Sequence, residues 1–214
     1  MARRLLCVTG SSDSDVLELA ANDFLNNSGK DHIVVIADNS SNMAVIDIFL
    51  ARHRIHQYDI ISPDMSSISS LQHALKTLKS ASGIILDKTL SVHHACSTQP
   101  LKGLIVELYN AGVPILGCVE QSYLLQTTST SHHETFLRSH ALGLISDHLI
   151  FSPATSNPAH MAATMQRLGV SHGVEISRRS CAVFVNGQLD HTQGDEVLHI
   201  ETHIRKKIRY SSIH

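Results

Sequence analysis

The chain has 214 residues, enough for one domain with a sizeable core. Apolar types make up 43% of it and charged types 17%, without an apolar run approaching the ~18 residues of a membrane span, so a spanning protein and a wholly disordered one are both set aside. Seventeen Lys and Arg against nineteen Asp and Glu leave a net charge of -2, which supplies no chain-wide basic field for nucleic acid.

Met1-Ala2-Arg3-Arg4 leads into an apolar run that stops at Gly10, shorter than the ~7–15 residues of a secretory core, so no signal peptide is expected. Cys7, Cys96, Cys118 and Cys181 are far apart and form no C-x-x-C pair, which predicts reduced thiols and a cytoplasmic protein. Histidine is abundant at sixteen residues, with doublets at His93-His94 and His132-His133 and the pair His53 and His56. Imidazole ligates zinc, but none of these pairs has H-E-x-x-H or Cys/His spacing, and the doublets sit in Ser/Thr-rich stretches that read as loops. The expectation is no metal and no cofactor, with a surface charge that changes between roughly pH 5 and 8.

Along the chain, Leu5 to Val8 reads as a strand ending in the loop Gly10 to Asp13, followed by a helix with Val16, Leu17, Leu19, Ala20, Phe24 and Leu25 at helical spacing. The alternation continues with a strand at Ile33 to Ala37, a helix at Met43 to Leu50 and a weaker strand at Ile55 to Ile61. A helix carrying Ile68, Leu71, Leu75 and Leu78 leads to the strand Gly83 to Leu86, and a helix through Leu101, Leu104, Ile105 and Leu108 ends at Gly112. Val113 to Gly117 is then a buried strand running into a helix at Gln121 to Gln126. Short continuous apolar strands alternating with helices predict a parallel sheet covered on both faces. The fold class is α/β, a flavodoxin-like three-layer sandwich in a single domain spanning 1–214. Ligands in such sheets bind beyond the carboxyl ends of the strands, at the loops after Val8, Ala37, Leu86 and Gly117.

The last third is mixed. Thr127 to Glu134 is a polar run that reads as a loop bordering a site. Leu149 to Phe151 is a strand, and Asn157-Pro158 opens a helix running to Leu168-Gly169. Cys181 to Val185, Asn186-Gly187 and the residues from Gln188 form a hairpin with a type I′ turn, giving a C-terminal β-hairpin region. The basic end, Ile204 to Arg209, reads either as a solvated edge strand or as a patch for an anionic partner.

The turn after Gly117 is placed where a nucleophile elbow would be, and an elbow needs small residues two before and two after the nucleophile. Cys118 is flanked there by Leu116 and Glu120, a poor fit, and Val119 has no nucleophile. Glu120, flanked by Cys118 and Ser122, fits best and would stand near a helix N-terminus, where its charge is favoured whether it caps or reacts.

Gly112-Val113-Pro114-Ile115-Leu116-Gly117 followed by Leu124-Leu125 resembles the elbow of class I glutamine amidotransferase-like proteins. Within them the chain is most similar to the cyanophycinase and aspartyl dipeptidase (peptidase E) serine peptidases. Gly83 to Leu86, Ala141 to Ile145, and Gly173 to Ser177 with Ala182 to Val185 resemble that family's segments in order, and Asn186-Gly187 its following turn. The resemblance implies a peptidase or amidase acting on small peptides or amino-acid amides, and a homodimer.

The departures bear on activity. In register on Gly117 the family's serine falls on Val119 and its glycine on Gln121. Its catalytic histidine falls near Ala154, with His148 beside Asp147 as a nearby substitute, and its acidic residue falls near Arg178. Its glycine-rich oxyanion loop reads Asp87-Lys88-Thr89-Leu90, where backbone donors approach a substrate less closely.

Two main readings follow. One is a cyanophycinase-like homologue without the usual nucleophile, a pseudoenzyme that binds a small peptide, an amino-acid-derived ligand or a protein partner. The other is a hydrolase or acyl-transfer enzyme with a relocated nucleophile among Cys118, Glu120 and Ser122 and His148 as base. Cys118 would gain from a helix N-terminus if reactive, and is a small buried hydrophobe if not. Asp87, Lys88 and Arg178 are the candidate substrate contacts, the cations matching a carboxylate. A third reading, a nucleotide or flavin site at Gly10-Ser11-Ser12, lacks Gly-x-Gly-x-x-Gly and a Walker lysine.

Overall fold

The computed structural model describes residues 3–10, 13–37, 43–62, 67–87, 99–118, 142–145, 148–151 and 157–202. Its elements in chain order are β1 (Leu5–Thr9), α1 (Ser14–Ser28), β2 (Ile33–Ile36), α2 (Ala44–Arg52), β3 (Tyr58–Ile61), α3 (Ile68–Leu78), β4 (Gly83–Leu86), α4 (Gln99–Asn110) and β5 (Ile115–Cys118). The second part contributes β6 (His148–Phe151), α5 (Pro158–Leu168), β7 (His172–Glu175), β8 (Ser180–Val185), β9 (Gln188–Gly194) and β10 (Leu198–Glu201). Seven strands form one sheet in the order β3-β2-β4-β5-β1-β8-β9, and β10-β7-β6 form a second, three-stranded sheet. The first five strands are mutually parallel, while β8 and β9 run antiparallel to their neighbours. This is the expected flavodoxin-like three-layer sandwich, with the hairpin β8–β9 closing one edge of the sheet.

Strand side chains alternate faces, and here both faces are buried. Leu6, Val8, Val34, Ile36, Ile84 and Ile115 face a core shared with α3, α4 and the inner face of the small sheet. Leu5, Cys7, Ile33, Val35, Ile85 and Leu116 face the other way, against α1 and α2. Helix α5 covers the outer face of the small sheet through Met161 and Met165, which pack with Leu149 and Phe151. No helix among the described residues is long and apolar enough to cross a membrane.

Local chemistry explains most of the boundaries. Helix α5 starts where the Asn157 side chain accepts from the Ala159 N–H at 3.0 Å, with Pro158 at its first turn. The β8–β9 turn has φ 54° at Asn186 and 82° at Gly187, the two left-handed residues of a type I′ turn.

Three features differ from the sequence reading. Strand β3 starts at Tyr58 rather than Ile55, because 53–55 close α2: His53 N–H donates to the Phe49 carbonyl and Ile55 N–H to the Leu50 carbonyl, with Arg54 at φ 55°. Strand β5 starts at Ile115 because Val113 N–H closes α4 onto the Leu108 carbonyl. The segment at His172–Glu175, suggested only by resemblance, is the central strand of the small sheet. The helix expected at Gln121 to Gln126, the polar run to Glu134 and the basic end at Ile204 lie outside the described residues.

Candidate functional site

The carboxyl ends of the parallel strands converge on one row. Thr9 at the end of β1 stands opposite Cys118 of β5 on one side and Cys181 of β8 on the other. Leu86 of β4 stands opposite Gly117, so Asp87 leaves the sheet next to β5. The Thr9 hydroxyl donates to the Gly117 carbonyl at 3.5 Å, tying β1 to β5 at this end.

The turn between β7 and β8 closes over the end of β1. Gly10 N–H donates to the Ser180 carbonyl at 2.7 Å, and a Cβ on Gly10 would lie 1.5 Å from the Ser177 carbonyl oxygen and 3.0 Å from the Arg178 Cα. Arg178 therefore belongs to this end of the sheet, with its side chain exposed. Asp87 is 3% exposed and borders, with Leu17, Ile46 and Leu116, a void of only about 10 Å³. That is room for no more than about one water.

Of the other expected residues, Cys118 ends β5 in the Thr9 row, and Lys88, Glu120 and Ser122 lie outside the described residues. His148 is placed elsewhere. It opens β6, its ring 5.1 Å from that of His172 and 5.7 Å from that of Phe184. Phe184 pairs with Leu6, three residues back along β1 from Thr9, about 10 Å at the ~3.3 Å rise of a strand. The fold thus brings Asp87, the Cys118 backbone and Arg178 to one end and leaves His148 towards the other.

No family model matches the sequence, and no curated protein matches it at a significant level. Solved structures do match. A peptidase from an acI-B1 Actinobacterium superposes with a TM-score of 0.61 at 14% identity, over 92% of this chain and 87% of its own. A candidate peptidase E protein from Listeria monocytogenes EGD-e superposes with a TM-score of 0.58 at 15% identity, over 94% of this chain and 100% of its own. The fold is that of peptidase E.

Elsewhere on this peptidase E fold, three polar groupings escaped the sequence reading. At the amino ends of the strands, His32 Nε2 lies 2.8 Å from Asp59 Oδ2, and its Nδ1 lies 3.1 Å from the Ser80 hydroxyl. This Ser–His–Asp chain is a clasp rather than a triad. The Ser80 hydroxyl donates to the Thr77 carbonyl at 2.8 Å, and His32 Nδ1 also faces the Ser80 carbonyl at 3.1 Å, so no free base points at the hydroxyl. Sequence separations of 48 and 27 residues gave no motif to find it by.

The second grouping is a cleft of about 350 Å³ between β9 and the small sheet, bordered by His148, His172, His199, Asp190, Thr192 and Glu201. Among the described residues, no three His, Cys, Asp or Glu side chains are placed to hold a metal ion.

The third joins β9 to α1. His191 Nε2 is 3.1 Å from Asp23 Oδ2 and its Nδ1 is 2.9 Å from Asp190 Oδ2, while Gln193 donates to Asp23 at 2.8 Å. The hydrogen bond to Asp190 raises the His191 pKa above its ordinary 6.5, with Asp23 adding to the rise and partial burial opposing it. A raised folded value means the stabilisation is full below about pH 6.5, while the aspartates stay ionised, and is lost as pH rises through the folded value. The His191 side chain is 38% exposed, so screening holds the effect to under about 1 kcal/mol. His191→Gln should therefore lower the melting temperature at pH 6 and converge on the parent by pH 9, as differential scanning fluorimetry across pH would read.

Two thiols, Cys7 and Cys181, are buried in the core between the sheet and helices α1 and α2. Burial, then the Asp23 carboxylate, pushes Cys181 up to about 12, and burial first, followed by Cys181 and Asp23, raises Cys7 well above its ordinary value. Neither carries a useful thiolate fraction at neutral pH.

Proposed function

We propose that the chain is a peptidase-E-like protein of the class I glutamine amidotransferase-like superfamily whose serine triad is degenerate. In this reading the carboxyl end of its sheet is a binding or assembly surface for a small peptide, an amino-acid-derived ligand or a protein partner. The observation that supports this reading is the sequence that follows β5. Gly117 pairs with Leu86, and in sequence register on Gly117 the family's serine falls on Val119 and its glycine on Gln121. Loss of the nucleophile leaves only binding and oxyanion stabilisation to accelerate a reaction. Asp87, buried against apolar neighbours where glycine donors are needed, and Arg178, standing in for an acidic residue, agree with it.

A second reading has one specific observation in its favour. Cys118 ends the strand between β4 and β1, in the row of Thr9, where an attacking atom would meet a substrate. Intact-protein mass spectrometry with a thiol-reactive probe, a fluorophosphonate and a pool of Asp-, Arg- and Lys-containing peptides separates the two. The expected result is no serine adduct, intact peptides, and no change in either with Cys118→Ala. Rapid single-site labelling of Cys118, with peptide cleavage abolished by Cys118→Ala, would establish a relocated nucleophile instead.

A further inference from the structure

Asn-Gly occurs once in the 214 residues, at Asn186-Gly187. It is the turn of the β8–β9 hairpin, closed by the pair Val185 and Gln188. A glycine after asparagine leaves its backbone nitrogen unshielded by a Cβ, so that nitrogen can reach the asparagine Cγ. The surroundings leave room for this, since a Cβ on Gly187 would meet the Leu144 carbonyl oxygen at 3.6 Å, an ordinary contact distance. Asn186 is exposed, so water and base have access to it. Its Oδ1 accepts from the Arg4 N–H at 3.3 Å. A donor on that oxygen draws electrons from Cγ and holds the negative charge that develops there during attack. The other asparagines among the described residues lack this arrangement. Asn22, Asn26 and Asn27 lie inside α1, where the N–H groups that follow them belong to the helix ladder. Asn110 is followed by Ala111, whose N–H donates to the Glu107 carbonyl at 2.9 Å. Asn157 is followed by Pro158, which has no N–H to lose.

We propose that Asn186 is a self-modifying position, where the chain exchanges the side-chain amide for an aspartyl or isoaspartyl link with water as co-reactant. The Gly187 nitrogen gives up its proton to base and attacks Asn186 Cγ. The N–Cγ bond forms, the Cγ–Nδ2 bond breaks, and Nδ2 leaves as ammonia, closing a cyclic imide. Water then opens the ring, and nothing is oxidised or reduced. Attack at Cγ leaves a normal chain with aspartate at 186, whereas attack at the backbone carbonyl carbon leaves the chain running through Cγ, an isoaspartate. Ring closure requires Asn186 to rotate about its Cα–C bond out of the turn conformation, so the reaction proceeds through local openings of the hairpin tip. The two products act differently on the hairpin. Aspartate tolerates the left-handed region as asparagine does, and its carboxylate still offers an acceptor to the Arg4 N–H. Isoaspartate adds a carbon to the backbone of a two-residue turn that fits its strands at one length. That lengthening strains the 2.9 Å hydrogen bond from the Asn186 N–H to the Arg4 carbonyl and loosens β9, whose His191 is bonded to Asp23 of α1. The inference does not depend on whether the carboxyl end of the sheet is catalytic.

The test is incubation of the full chain at pH 9 beside a synthetic peptide of Ala182 to His191, which sets the time the unconstrained segment takes to convert. Peptide mapping by mass spectrometry reads the loss of ammonia and gain of water at each asparagine, and an isoaspartyl methyltransferase counts the isoaspartate. By the time the peptide has converted, Asn186 of the folded chain should be modified at least about tenfold more than Asn110, whose following N–H is held in a hydrogen bond. The isoaspartyl fraction should melt below the parent, and Asn186→Asp should co-elute with the aspartyl product. Asn186→Gly keeps a type I′ turn, because Gly-Gly also satisfies it, and should release no ammonia from this segment. Circular dichroism shows whether that variant is folded, and if it is not, the map of the parent chain decides. Asn186 intact when the peptide has converted, another described asparagine modified ahead of it, or as much isoaspartate in folded Asn186→Gly as in the parent would each overturn the proposal.

Discussion

Replacing Gly10 with alanine is expected to destabilise the fold by about 3 kcal/mol, the upper end of what overpacking usually costs. The new methyl would sit 1.5 Å from the Ser177 carbonyl oxygen and 3.0 Å from the Arg178 Cα, and both obstacles are backbone. No rotamer change relieves that overlap, so either β1 withdraws or the β7–β8 turn lifts. Lifting the turn would break the 2.7 Å hydrogen bond from Gly10 to Ser180 as well. Gly103 on α4 is the matched control, with nothing within 4 Å of its virtual Cβ. Alanine there should stabilise the helix by about 0.5–1 kcal/mol. Urea denaturation of the two variants should move the midpoint in opposite directions, and a Gly10→Ala variant as stable as the parent would show that the turn is not seated on β1.

Phe24→Ala should cost about 4 kcal/mol, within the 3–5 kcal/mol typical of a phenylalanine truncated in a core. Phe24 is fully buried on α1, and its ring tip reaches the backbone of β4, where a Cβ on Gly83 would lie 3.0 Å from Phe24 Cζ. The same Cβ would also meet Ser28 Cβ at 2.8 Å and Ile33 Cδ1 at 2.9 Å, so Gly83→Ala alone should be destabilising. Shortening the ring makes part of the room that the methyl needs. The double variant Phe24→Leu with Gly83→Ala should therefore lose less than the sum of the two single losses, by at least about 0.5 kcal/mol in a denaturant cycle. Strict additivity would mean that the ring and the glycine are not packed together.

The sheet's inner strands were legible because burial on both faces leaves an unbroken apolar run, as in Ile33 to Ile36 and Gly83 to Leu86. The β8–β9 hairpin was legible for a different reason, since Asn186-Gly187 names its own turn geometry. Strand β7 was not, because His172-Gly173-Val174-Glu175 buries only its central pair and alternates weakly. Its identity as a strand depends on partners, β6 and β10, that periodicity cannot supply. The candidate site divides in the same way. Asp87 and Cys118 follow apolar strands, so the rule for strand ends found them. His148 was linked to the site by a neighbouring aspartate, whereas it pairs with His172 in the small sheet and its ring lies beside Phe184, whose partner Leu6 is three residues back along β1 from Thr9. The clasp of Ser80, His32 and Asp59 is a tertiary event with no local pattern at all.

The placement of β1 has a consequence for how the chain is made. Its two neighbours, β5 and β8, come from far downstream: Cys7 pairs with Leu116 on one side and with Val183 on the other. At ~5–20 residues per second, a ribosome needs roughly 10–35 s after making Cys7 to deliver Val183. Throughout that interval Leu5–Thr9, a strand of wholly buried residues in the finished molecule, waits with at least one side open. Loop closure over such separations is slow, so the first strand to be synthesised is among the last to be enclosed. Capture of the nascent chain by other exposed strands is therefore the misassembly route that a chaperone would need to block for this fold, and β1 is the segment it would need to hold.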